Sequence, residues 1–298
     1  MKKLVTLERS LLIGHLASMV FGLAGLLLVV PNAEFIIGLS PLGQKAFGWS
    51  MANGGVSYML LGTAAVAIYA YRLFGAKRWL TFMITAIAIS LSSELLGTST
   101  GFPFGHYRYL SGLGYKIADL VPFTIPLSWF YLGFVAYLLV RVGLSAVAIP
   151  NGLRLLGAIA FGSMLLTSWD FILDPAMSQT LIPFWLWEQP GAFFGMPYQN
   201  FAGWFGTGVV FMTVATLFWE KEPINLSRSQ LIFPLTVYLA NLGFAMVMSV
   251  SSGFWIPAGL GILTGVIPAI AFFSMAQSGE GAAEQDAQNQ QKFIITEV

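Results

Sequence analysis

WLTFMITAIAISLSSELLGTSTGFPFGHYRY, from Trp79 to Tyr109, decides how the rest of the chain is read. Its first half, Trp79 to Gly97, is an apolar run near the ~20 helical residues that cross a hydrocarbon core of ~30 Å. Close to the end of that run sits an acid, Glu94. The second half then crowds glycines, a proline, a histidine, an arginine and aromatic rings into a short span. Polar density of that kind is costly at a membrane and by default marks function. Gly97, Gly101 and Gly105 recur every four residues, but they straddle a helix end and enclose Pro103. The spacing therefore predicts a tight re-entrant turn rather than a helix-dimerisation face.

Outward from this stretch, further runs of spanning length are Ser10 to Val30, Met51 to Leu73, Pro122 to Val140, Gly152 to Phe171, Phe201 to Trp219, Leu231 to Val250 and Trp255 to Met275. The chain of 298 residues is 57% hydrophobic and 9% charged, against roughly 25% charged in an average soluble domain. An all-α, polytopic membrane bundle of about eight transmembrane helices follows. Residues 1–276 are expected to form one membrane domain, and 277–298 a polar, disordered tail. The basic start and first apolar run read as a retained helix, because no small-x-small cleavage site follows. A net charge of +1 gives no basic surface for nucleic acid. With no cysteine, disulfides, thiolate metal sites and iron–sulfur clusters are excluded. Two histidines without a paired metal-binding spacing predict no dedicated metal site.

With the N-terminus inside, eleven Lys and Arg residues fall on inner segments, and only Lys45, Arg108 and Lys116 on outer ones. The positive-inside rule thus predicts N-in and C-in termini. The loops after Glu94 and after Asp170 then open onto the same, non-cytoplasmic face. In that second loop Trp169-Asp170-Phe171-Ile172-Leu173-Asp174-Pro175 puts two carboxylates four residues apart, on one face if the helix continues. Asp174-Pro175 also reads as the helix end, because a residue before proline avoids the helical region.

Each of these residues has a structural reading as well. Glu94 would serve as a helix-end residue reaching into headgroups, Asp174 as a turn former, and Asp170 as a partner of Arg108 or Lys116. His106 would anchor a loop. His15 reads as a helix-packing polar residue, and the aromatic loop Trp185-Leu186-Trp187-Glu188 as an interfacial belt.

Taken together, Glu94-x-x-Gly97, Thr100-Gly101-x-Pro103-Phe104-Gly105-x-Tyr107-x-Tyr109, Gly114-x-Lys116, Pro122, Ile125-Pro126-Leu127-x-Trp129, Trp169-Asp170-x-x-x-Asp174-Pro175 and Gly195-x-Pro197-x-x-Asn200-x-x-Gly203-Trp204 resemble the membrane carotenoid hydratase family. That family includes carotenoid 1,2-hydratases and bisanhydrobacterioruberin hydratases. The resemblance spans roughly Glu94 to Trp204. It implies addition of water across the terminal C1–C2 double bond of an acyclic (ψ) carotenoid end group, with no cofactor. The implied partners are a lycopene- or γ-carotene-type substrate, water and the bilayer of a plasma or thylakoid membrane.

Hydrating a trisubstituted alkene needs an acid that is kept protonated, and then a water that captures a tertiary cation. Burial and a second nearby carboxylate both favour a protonated acid. Glu94, Asp170 and Asp174 are the candidate catalytic acids and bases if their loops converge. Phe104, His106, Tyr107, Tyr109, Trp129, Trp169, Asn200 and Trp204 are the candidate substrate contacts, since desolvated aromatic faces stabilise a cation by about 2 kcal/mol each. Arg108 and Lys116, awkward beside a cation, are expected to hold carboxylates or shape the loop. A carotenoid cyclase, a proton-coupled transporter and a non-enzymatic carotenoid-binding protein remain as alternatives.

Overall fold

The computed structural model describes residues 2–189, 191–219, 224 and 226–276. The polar tail expected at 277–298 lies outside them. The chain is an all-α, multi-pass membrane bundle, and among the described residues seven helices are long and apolar enough to span. Helix α1 covers Lys2–Ala24 and continues through a π-turn, Gly25–Val29. A short α2, Ala33–Ile37, leads to α3, Pro41–Thr100. At a rise of about 1.5 Å per residue, α3 is far longer than a bilayer is thick. It is broken at Gly75, whose φ of 74° and ψ of 173° are non-helical, and so supplies two membrane-length segments. The expectation of about eight crossings counts those two separately.

Helix α4, Thr124–Ser145, is the axis of the bundle, buried over nearly its whole length and packed against α3, α5, α6 and α7. Its predominantly apolar surface suits a helix shielded on all sides by others. Helices α5 (Asn151–Met177), α6 (Tyr198–Phe218), α7 (Arg228–Ser251) and α8 (Trp255–Gly261, prolonged to Ala276) complete the bundle. Their ends extend beyond the apolar runs because polar first and last turns are invisible to hydropathy. A buried pair fixes α1 to the first half of α3: Arg72 Nε and Nη2 donate to Glu8 at 2.8 and 3.1 Å. His15, fully buried, lies within 2.8 Å of the Tyr58 carbonyl and 3.1 Å of Asn241 Nδ2, in the helix-packing position its sequence context suggests.

The loops hold two small antiparallel ribbons that hydropathy does not foresee. Strand β1, Tyr107–Tyr109, pairs with β4, Trp185–Trp187, in the register Tyr107↔Trp187 and Tyr109↔Trp185. Strands β2, Lys116–Ile117, and β3, Val121–Pro122, form the second. The re-entrant turn is realised: Gly101 ends α3 in the left-handed region (φ 82°), and its N–H returns to the Gly97 carbonyl. A Cβ is disfavoured in that conformation.

Candidate active site

Three buried carboxylates, Glu94 from α3 and Asp170 and Asp174 from α5, line one cavity of about 820 Å³. Each is at most 4% exposed. They differ in what holds them.

Glu94 sits two turns inside the end of α3 and receives three donors. Tyr107 and Tyr109 both donate to Oε2, the latter at 2.9 Å, and Trp129 Nε1 on α4 donates to Oε1 at 3.0 Å. The two tyrosines reach it because a strand points alternate side chains to one side. Tyr107 and Tyr109 face inward while Arg108 between them faces out. Burial first, and then the Glu94 carboxylate, hold both phenols well above their usual 10.0. They therefore stay protonated, as donors, across any working pH.

The same rule acts on β4. Trp185 and Trp187 aim their indoles at Asp174 Oδ1, the second at 3.2 Å, while Asn200 Nδ2 from the start of α6 donates to Asp174 Oδ2 at 3.1 Å. One ribbon thus supplies two donors to Glu94 and two to Asp174. Asp170 is served more sparingly: Asn200 Nδ2 donates to its Oδ2 at 2.7 Å, and Oδ1 has no hydrogen-bond partner among the described residues. Asp170 and Asp174 do share a helix face. The expected helix end at Asp174-Pro175 is corrected, because α5 runs on to Met177 with Pro175 in its last turn. There the missing N–H removes a single helical bond, and Ser178 N–H returns to the Asp174 carbonyl at 3.1 Å.

Aromatic rings wall the acids. Trp129 stacks on Trp204 at 3.9 Å between centroids, and Trp169 leans on Trp204 at 5.8 Å. Phe104, 1% exposed, is held between two glycines of different helices. A Cβ at Gly97 would stand 2.6 Å from its ring, and one at Gly203 2.5 Å from it and 2.9 Å from the Pro103 carbonyl. Gly203→Ala is accordingly expected to cost about 1–3 kcal/mol by overpacking. Gly206→Ala on the same helix, where a Cβ meets nothing within 4 Å, should not. Thermal unfolding of the two variants in detergent compares them directly.

Of the sequence-predicted residues, Glu94, Phe104, Tyr107, Tyr109, Trp129, Trp169, Asp170, Asp174, Asn200 and Trp204 come together here, all but Trp129 lining the cavity itself. Three others do not. His106 is exposed; its ring lies over Gly101, and its carbonyl takes the Glu188 N–H at 2.9 Å. Arg108 makes a surface pair with Glu188 at 3.0 Å, a kind worth little. Lys116 donates to the Tyr109 carbonyl at 2.7 Å, which is the loop-shaping alternative rather than a hold on a catalytic carboxylate. Neither cation partners Asp170. Trp185 and Trp187, read from sequence as an interfacial belt, line the cavity and donate to Asp174. The two-residue spacing that puts both indoles on one side of a strand was the available signal.

A family model described as "Carotenoid biosynthesis protein" matches residues 54–268. The chain is 31% identical over 185 residues to the bisanhydrobacterioruberin hydratase of Haloarcula japonica. That alignment covers 61% of this chain and 61% of the relative's length. No solved structure matches the chain.

Proposed function

Because this chain belongs to the carotenoid biosynthesis protein family, we propose that it is a carotenoid 1,2-hydratase, adding water to the terminal C1–C2 double bond of a ψ end group of lycopene or γ-carotene type. The observation that carries this reading is the unequal hydrogen bonding of three acids at one end of an apolar cavity. Three donors on Glu94 and three on Asp174 support ionised carboxylates, each keeping about one of four acceptor sites free. Asp170, with one donor and a free Oδ1, is left to carry a proton.

In this mechanism Asp170 gives its proton to C2, the less substituted carbon, and the π electrons form the new C–H bond. The positive charge left at C1 is tertiary. It faces the rings of Trp204 and Trp169, and the fixed negative charge of Glu94 adds attraction that a water-poor site screens weakly. A water then bonds through oxygen to C1 and loses a proton to Asp174. Asn200, which touches both aspartates, keeps the pair close enough for that proton to return to Asp170. Alkene and water become a tertiary alcohol, and the enzyme ends as it began. No electron changes hands, so the step needs no redox cofactor. We assign the site to the non-cytoplasmic side on the charge distribution between loops.

Co-expression in a lycopene-producing bacterium tests the reaction. The product is expected to gain the mass of one water per hydrated end, and to carry heavy oxygen when cells grow in H₂¹⁸O. A product of unchanged mass and altered retention would mean ring closure from the same cation, and no product would remove the catalytic reading.

A further inference from the structure

The cavity extends well past the acids, and its two ends are built by different parts of the chain. Around the carboxylates every acid and Asn200 is almost fully buried, whereas Phe21, Phe35 and Trp49 at the other end are 63, 58 and 65% exposed. The buried end draws on residues 94 to 204, inside the span that the family model matches; the far end draws mostly on residues between 17 and 51, outside it, with Gly54 at its edge. Three features keep that far end open. Helix α1 loosens into its π-turn at Gly25–Val29, where it lines the cavity, and such turns often occur at functional sites. Gly25 and Gly54 both line it too, and a Cβ on either would meet nothing within 4 Å.

We propose that the cavity-lining residues between 17 and 51, with Gly54, form a lateral mouth that holds the linear conjugated chain of the substrate while its end group sits among the acids. This rests on the carotenoid reading above and adds where the rest of the molecule lies. The occupant is a long hydrocarbon because the cavity's lining is overwhelmingly apolar and is continuous with a buried, acid-bearing end. With a single set of acids in the cavity, one end of the substrate reacts at a time, and the opposite end remains in lipid. The α1–α2 segment becomes the part of the protein that selects the middle of the substrate.

Gly54→Phe would fill the mouth without touching the acids, and Gly48→Phe on the same helix, also free of neighbours within 4 Å but outside the cavity, controls for added bulk. Each is made in the full chain. Two quantities are read: C40 pigment retained per purified protein from lycopene-producing cells, and water addition to lycopene and to geranylacetone, a short ketone with the same terminal alkene. Gly54→Phe is expected to lower pigment retention and lycopene conversion about tenfold, equivalent to about 1.4 kcal/mol of binding. Geranylacetone conversion should stay at the wild-type rate, and Gly48→Phe should match wild type throughout. Wild-type retention in Gly54→Phe, or an equal fall on both substrates, would overturn the mouth. If the wild type hydrates neither compound, the catalytic reading fails, and pigment retention alone still decides the mouth.

Discussion

Asp170→Asn is expected to lose water addition by about 10³-fold or more while the protein reaches the membrane at normal levels and still retains pigment. General acid catalysis commonly supplies 10²–10⁴-fold, and a hydrocarbon alkene offers no other way to start. The fold should survive the change, because an asparagine oxygen can accept from Asn200 as Asp170 Oδ2 does. What disappears is the proton on the atom facing the cavity. Product mass and pigment retention separate the two effects: bound but unconverted carotenoid is the expected signature. Conversion near the wild-type rate would reassign the proton to another acid.

Replacing Glu94 should divide stability from activity. In Glu94→Ala the hydroxyls of Tyr107 and Tyr109 and the Trp129 indole lose their shared acceptor while buried. At about 1–3 kcal/mol for each orphaned group, the variant is expected to unfold or fail to accumulate. Glu94→Gln can still accept from the two tyrosines, but turns an NH₂ toward Trp129 and removes the charge. It should remain folded, with its melting temperature lowered, and lose about 10²-fold in turnover, the scale of one preorganised electrostatic contact. A Gln variant as active as the wild type would show that the charge is dispensable and that Glu94 only knots the ribbon to the helices.

Much of this was legible in the chain. The apolar runs locate the helices, the isolated acid in the run Trp79 to Gly97 falls on the wall of the candidate site, and the four-residue spacing of Asp170 and Asp174 puts both on one helix face. What escaped the reading shares a cause. Trp185 and Trp187 become donors only when β4 meets β1, a strand far earlier in the chain, and no local pattern encodes that meeting. The same pairing explains the misplaced expectations. Alternation along β1 turns Tyr107 and Tyr109 inward and Arg108 outward, and His106, just before the strand, is exposed. Opposite charges attract on paper, yet the strand direction decides which of them meet. Pro175 does not stop α5, because a proline in the last turn of a helix gives up only one bond.

The ribbon also imposes an order on biogenesis. Helix α3 brings Glu94 to the bilayer before Trp129 or either tyrosine of β1 can fold back onto it, and the indoles that serve Asp174 follow it by 11 and 13 residues. A lone aspartate at the centre of a span costs about 2.5–3.5 kcal/mol during insertion. All three acids instead lie within the final turns of their helices, where each can wait at the water boundary. Docking of β4 on β1 then withdraws them from water together, so maturation of the site is a late, post-insertion event that helix insertion alone does not accomplish.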